Sequence, residues 1–252
     1  MITQQSIAID GEAPYQIFGT LTSCDNDASK LIINLHGLTH SQWGYLQQNC
    51  ITPFTDAGYD VFNFSFYDRM PNSRRMHEAS LSAHCADFLR VLDYFSDRYE
   101  HIYLTGHSLG GLITLITNPD NIKAVSLWDP ALDVTHFWST GNYLTSLPEQ
   151  NGYKLDYGTE FVISAKLVEE IKTYSNSKCL ELAATFQSPA QMIIPALSIF
   201  LSSPHTSPAQ YDDAFSAPYE RINMEDTDHC FYGVGHDQKL FAHTIAWFNK
   251  FV

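Results

Sequence analysis

The residues best suited to chemistry are Gly106-His107-Ser108-Leu109-Gly110, a serine with glycine two positions to either side. Residues 101–105 before it alternate apolar and polar, with Ile102, Tyr103 and Leu104, and read as a short strand. Gly111 and an apolar run to Ile116 follow, as suits a buried helix. A G-x-S-x-G pattern gains its meaning from this strand–turn–helix context. So tight a turn strains the serine backbone and leaves no room for side chains two residues away. It lifts the Ser108 hydroxyl above the sheet edge and points the Leu109 amide, at the head of the helix, at an oxygen gaining negative charge. The bland alternative is a glycine-rich turn that happens to contain serine.

The elements around this turn alternate. Residues 5–9 and 15–21 suggest an antiparallel edge hairpin across Asp10-Gly11. Lys30–Leu35 is a near-continuous apolar run, as for a strand buried on both faces, and it ends in His36-Gly37-Leu38-Thr39. Residues 45–57 suit a helix closed by Gly58 and interrupted by Pro53, and 59–66 the next strand. Residues 79–95 form an amphipathic helix with Leu81, Cys85, Phe88, Leu89, Leu92 and Phe95 at helical spacing. Ile122–Trp128 is a further strand, leading into Asp129-Pro130.

About sixty irregular residues then intervene, with Phe137, Trp138, Tyr143, Tyr153, Tyr157 and Phe161, a hairpin signal at Tyr157-Gly158 and a helix near 165–174. A loop that long without structure is unusual, so this reads as a cap with its own elements. Strand 195–201, a short helix 208–217, strand 219–224 and a terminal helix 237–251 complete the chain. Alternating strands and helices imply parallel pairing with helices on both faces. Reactive residues in such sheets gather at the carboxyl ends of the strands, where Leu38, Ser108, Asp129 and His229 all fall.

Composition narrows the partners. At 252 residues the chain fits one domain with a large core, and 44% hydrophobic residues suit a globular protein. A net charge of −14 disfavours nucleic acid and anionic membrane as partners. Cys24, Cys50, Cys85, Cys179 and Cys230 are scattered and odd in number, which suits reduced thiols in the cytoplasm. MITQQSIAID has no basic or long apolar region of a signal peptide, and no run approaches the ~20 apolar residues of a membrane helix. No cofactor is expected. A metal site at His36 and His40 is discounted because these residues are not on a helix. Nothing in the sequence specifies an oligomeric state.

With these residues placed, the sequence resembles the α/β-hydrolases over nearly its whole length. The likeness rests on LHGLTH after the third strand, GHSLGG at the turn, and TDHCF before a final helix ending in Trp247-Phe248. The cap after the sixth strand is similar to that of small bacterial esterases of the cinnamoyl/feruloyl type. The resemblance implies an α/β-hydrolase fold, with a mostly parallel eight-stranded sheet, helices on both faces, and a cap at about residues 131–190 of one domain spanning 1–252.

It also implies a serine nucleophile, an acid and a histidine base in that chain order. Ser108 would be the nucleophile, Leu38 and Leu109 would supply oxyanion N–H groups, and His36 would support the oxyanion loop. The base is His229, directly after the last strand, or His236 at the head of the terminal helix; the Asp-His-aromatic pattern favours His229. The acid departs from the family: residues 201–206, where an aspartate usually stands, hold no carboxylate. Asp129 before Pro130-Ala131 is the favoured substitute, similar to the triad aspartate of pancreatic-type lipases, with Asp133, Asp226 and Asp228 as alternatives.

The expected reaction is hydrolysis of a carboxylic ester of a small to medium acyl or aryl acid through an acyl-enzyme. The expected partner that the hydrolase resemblance implies is a small-molecule ester. Thioesterase, amidase or peptidase, and acyltransferase activities would use the same residues. A non-catalytic binding protein is the alternative of another class. Haloalkane dehalogenation is excluded, since it needs aspartate where Ser108 stands.

Overall fold

The chain opens as an antiparallel hairpin. β1 (Thr3–Asp10) and β2 (Gln16–Ser23) pair from Thr3 opposite Ser23 to Asp10 opposite Gln16. Only Ile7 and Ile9 of β1 are buried, since an edge strand keeps one face in water. The next strand, β3 (Lys30–Leu35), is apolar in both directions: Leu31, Ile33 and Leu35 enter one core and Ile32 the other. This computed structural model describes residues 2–24, 29–201 and 206–252.

After β3 come two short helices, α1 (Tyr45–Asn49) and α2 (Ile51–Asp56), where the sequence suggested one helix over 45–57. Pro53 explains the break, because it has no N–H for the Asn49 carbonyl and its ring crowds that turn. β4 (Asp60–Ser65), α3 (Leu81–Ser96), β5 (His101–His107), α4 (Leu109–Thr117) and β6 (Ile122–Trp128) follow. Ser80 caps α3 by accepting the Ala83 N–H at 3.1 Å. The helix buries Phe88, Val91, Leu92 and Phe95. Leu89, expected in that stripe, is instead 45% exposed: its buried neighbour Phe88 holds the core-facing position and Leu89 turns to the flank.

Between β6 and the next core strand lie α5 (Val134–Gly141), β7 (Leu144–Leu147), β8 (Gly152–Asp156), β9 (Glu160–Ser164), α6 (Ala165–Ile171) and α7 (Asn176–Thr185). The strands β7, β8 and β9 form a separate antiparallel sheet, with Tyr157 and Gly158 in the β8–β9 turn. Ser164 caps α6 by accepting the Leu167 N–H.

The chain then returns as β10 (Ala190–Leu197), α8 (Ala209–Asp212), β11 (Tyr219–Asp228) and α9 (His236–Phe248). The main sheet has eight strands in the order β1-β2-β4-β3-β5-β6-β10-β11, parallel from β4 through β11. The sequence placed β10 at 195–201, but it starts at Ala190. Pro195 lies past the last β6 pairing at Ile193, where a missing N–H breaks no bond to that neighbour. α8 is shorter than the helix expected over 208–217, and β11 runs beyond 224 to Asp228. Residues 202–205 of the stretch read as lacking a carboxylate lie outside the described residues.

Two cores flank the sheet. On one side Phe62, Leu104 and Val125 cluster with Phe88 and Phe95 of α3 and Leu112 of α4. On the other, Val61, Tyr103 and Trp128 cluster with Phe54 of α2 and Leu240, Phe241 and Phe248 of α9. Packed on both faces, the sheet is a rigid base for the loops at its carboxyl edge.

Candidate active site

Ser108 sits between β5 and α4 at φ 54° and ψ −119°, a strained conformation for a residue with a side chain. The two glycines of the motif make that turn possible. A Cβ at Gly110 would lie 2.3 Å from the Leu35 carbonyl oxygen, and one at Gly106 would lie 2.8 Å from Gly111 Cα. The turn is also tied to β6. The Ser108 N–H donates to Trp128 O at 3.0 Å, and Ser108 O accepts from the Ala131 N–H at 2.9 Å. Asp129 therefore stands in a loop fastened at both ends to the serine backbone.

Asp129 has a left-handed φ of 38° and is fully buried. Its Oδ2 accepts a 2.6 Å hydrogen bond from His229 Nδ1, and its Oδ1 accepts one of 2.6 Å from Ser198 Oγ. A carboxylate on Nδ1 fixes the imidazole proton there and leaves Nε2 with its lone pair. Burial, and then the neighbouring His229, hold His107 well below the usual histidine range. His107 is thus neutral, and its Nε2–H donates to the His229 backbone carbonyl at 2.9 Å.

The other candidates are engaged elsewhere. Asp133 accepts from Thr135 Oγ1 at 2.7 Å. Asp228 Oδ1 accepts from the Cys230 and Tyr232 amides, and Asp226 is exposed. His236 is the first residue of α9 and packs against Gly233.

The loop after β3 is held by His36. Its Nε2 accepts from the Phe66 N–H at 3.0 Å, which places the ring proton on Nδ1, 2.8 Å from the Gly37 carbonyl oxygen. Burial pushes this histidine down to about 4, so it stays neutral in both bonds. Leu38 follows in a turn closed by His40 N–H to Gly37 O at 3.2 Å. Leu109 is the first residue of α4, where the N–H has no acceptor within the helix.

Ser108, Leu38, Leu109 and His229 line one cavity of about 350 Å³. Four of the aromatics flagged in the sequence, Phe137, Trp138, Tyr143 and Tyr157, also line it; Tyr153 and Phe161 do not. Phe137 stacks on Tyr143 at 4.5 Å, and Trp138 Nε1–H donates to Tyr157 Oη at 2.9 Å. Phe200 packs edge-on against His229, with ring centroids 5.1 Å apart. Cys230 is in the lining too, but burial pushes its thiol up to about 11, so it is no thiolate at neutral pH.

Sequence reasoning missed Ser198, Phe200 and the grip of His107 on His229. A serine and a phenylalanine in a stretch read as a core strand carry no signal of their own. Among the described residues no group of three or more His, Cys, Asp or Glu side chains could hold a metal ion, and no helix is long and apolar enough to cross a membrane.

No protein-family model and no curated protein sequence matches the chain. Solved structures do. Est1E from Butyrivibrio proteoclasticus with ferulic acid bound aligns at TM-score 0.76 and 17% identity, over 96% of this chain and 99% of that one. The esterase domain of a Rhodothermus marinus protein aligns at 0.73 and 17%, over 99% of each chain. The Pyrococcus furiosus esterase Pf2001 aligns at 0.74 and 16%, over 99% of this chain and 91% of that one. With the strand order and the near-complete coverage, these similarities establish that the chain has the α/β-hydrolase fold.

Proposed function

We propose that the protein is a serine esterase that cleaves carboxylic esters of small to medium acyl or aryl acids through an acyl-enzyme. The observation that carries this is the 2.6 Å Asp129–His229 bond at the wall of the cavity lined by Ser108, Leu38 and Leu109. In this reading His229 Nε2 takes the Ser108 proton as Oγ attacks the ester carbonyl. The Leu38 and Leu109 amides receive the oxyanion, and Asp129 stabilises the imidazolium. Collapse expels the alcohol, which takes the proton from His229, and water repeats the sequence to release the acid.

Residues 131–190 act as a cap that supplies the aromatic wall and keeps water from the reacting carbonyl. That wall supports an apolar or aryl acyl group, as does the ferulic acid bound to Est1E.

The test is labelling with a fluorophosphonate probe, in wild type and Ser108→Ala, beside turnover of p-nitrophenyl esters of increasing chain length. Labelling that disappears in Ser108→Ala, with turnover of short esters, is the expected result. A folded wild type that neither labels nor turns over any ester would overturn the reading in favour of a binding protein.

A further inference from the structure

We infer that Ser198 is a positioning residue for the Asp129–His229 pair, an inference that rests on the esterase reading of this site. Asp129 is fully buried, so each carboxylate oxygen needs a donor. His229 serves Oδ2, and the Ser198 hydroxyl serves Oδ1 at 2.6 Å, the length of an O–H bond to an anion. The hydroxyl has no freedom to point elsewhere. Its oxygen accepts from the Leu201 N–H at 2.9 Å and the Phe200 N–H at 3.3 Å, which commits its single proton to Asp129. The Ser198 N–H donates to Pro195 O at 3.0 Å and anchors this turn to the end of β10.

The same oxygen also sets the ring beside the base. Phe200, whose amide it holds, stands 5.1 Å edge-on from the His229 imidazole and 5.3 Å from Phe137. One buried hydroxyl just past β10 thus fixes the acid that follows β6 on one side and the aromatic wall of the histidine on the other. Its loss leaves Oδ1 without that donor and frees the carboxylate to rotate out of line with Nδ1. It also leaves a barer charge facing the imidazolium, which makes His229 harder to deprotonate.

The experiment compares wild type, Ser198→Ala, Ser198→Thr, Asp129→Asn and Asp129→Asn with Ser198→Ala. It measures kcat and KM on a short p-nitrophenyl ester across pH, and the downfield proton resonance of His229 Nδ1–H. Ser198→Ala should lower kcat roughly tenfold with KM held, the loss expected for one hydrogen bond to a charged group. It should move the acid limb of kcat/KM upward and shift the resonance, while Ser198→Thr stays near wild type. In the Asp129→Asn background the same change should cost nothing further.

Equal losses in both backgrounds, or an unmoved limb and resonance, overturn the positioning role while leaving the esterase reading intact. A wild type that neither labels at Ser108 nor turns over esters overturns both. Should Ser198→Ala not fold, Ser198→Cys carries the same comparison, leaving no cavity and weakening the donor.

Discussion

His107 donates its Nε2–H to the His229 backbone carbonyl across 2.9 Å, so the residue before Ser108 holds the residue that the proposed mechanism assigns as its base. The two rings lie with centroids 4.8 Å apart. His107→Leu removes the donor and leaves a carbonyl unpaired, at about 1–3 kcal/mol of stability. Ester turnover should fall with it, and His107→Gln, whose amide nitrogen can reach the same carbonyl, should recover most of both. Thermal melts and steady-state kinetics on the two variants check this; equal losses in both would place the role in packing alone.

Asp129→Asn keeps the shape of the carboxylate but replaces one oxygen with a donor, which favours the wrong imidazole tautomer. If Asp129 is the acid, kcat on a short ester falls on the order of 10⁴-fold with the fold intact. A tenfold fall or less would move the role to another group.

Much of this arrangement could be read from residue types. The Ser108 turn was legible because its glycines are forced by contacts at Leu35 O and Gly111 Cα, and such constraints write themselves into sequence. Parallel strands buried on both faces announce themselves as apolar runs, as Lys30–Leu35 does. Less could be read where the partner is distant. Ser198 meets Asp129 across 69 residues, and neither the serine nor its turn has a periodicity to betray it. Pro195 misled on the start of β10, because a proline is tolerated once a strand has left one neighbour. Leu89 shows that a helical stripe can be drawn one residue too wide.

Stability should fall on mild acidification, and buried histidines are the cause. Burial pushes His36 down to about 4 and His84 down to about 3, from an ordinary value of 6.5. Between those limits the unfolded chain binds protons that the folded one refuses, so stability rises with pH. The contribution is fully present above 6.5 and is lost as pH falls toward 4. From pH 6.5 to 5 the loss is roughly 2 kcal/mol for each such histidine. His84 packs on the Phe66 ring at 4.7 Å, and neither ring nitrogen has a hydrogen-bond partner. His84→Phe should therefore flatten the slope of unfolding free energy against pH by about one proton. Urea titrations from pH 7.5 to 5 measure it; an unaltered slope would mean that His84 is protonated in the fold.

If the proposed acyl group occupies the cavity, the aromatic wall limits its size, and only aromatics in the lining should matter. Phe137 lies in the cavity lining, stacked on Tyr143 at 4.5 Å and packed on Phe200 at 5.3 Å. Phe137→Ala opens the roughly 350 Å³ space and removes the ring contacts to Tyr143, Tyr157 and Phe200. Esters of longer acyl chains should then become the better substrates, while kcat/KM for aryl esters falls roughly tenfold for the lost aromatic pairings. Tyr153 is equally aromatic but lies in β8 outside the lining, beside Lys172 at 5.7 Å. Tyr153→Leu should leave the chain-length profile where it was. A p-nitrophenyl ester series run on both variants separates the cases. An unchanged profile in Phe137→Ala would move the acyl group to another wall of the cavity, and a changed one in Tyr153→Leu would show that the whole segment shifts when its sheet is disturbed.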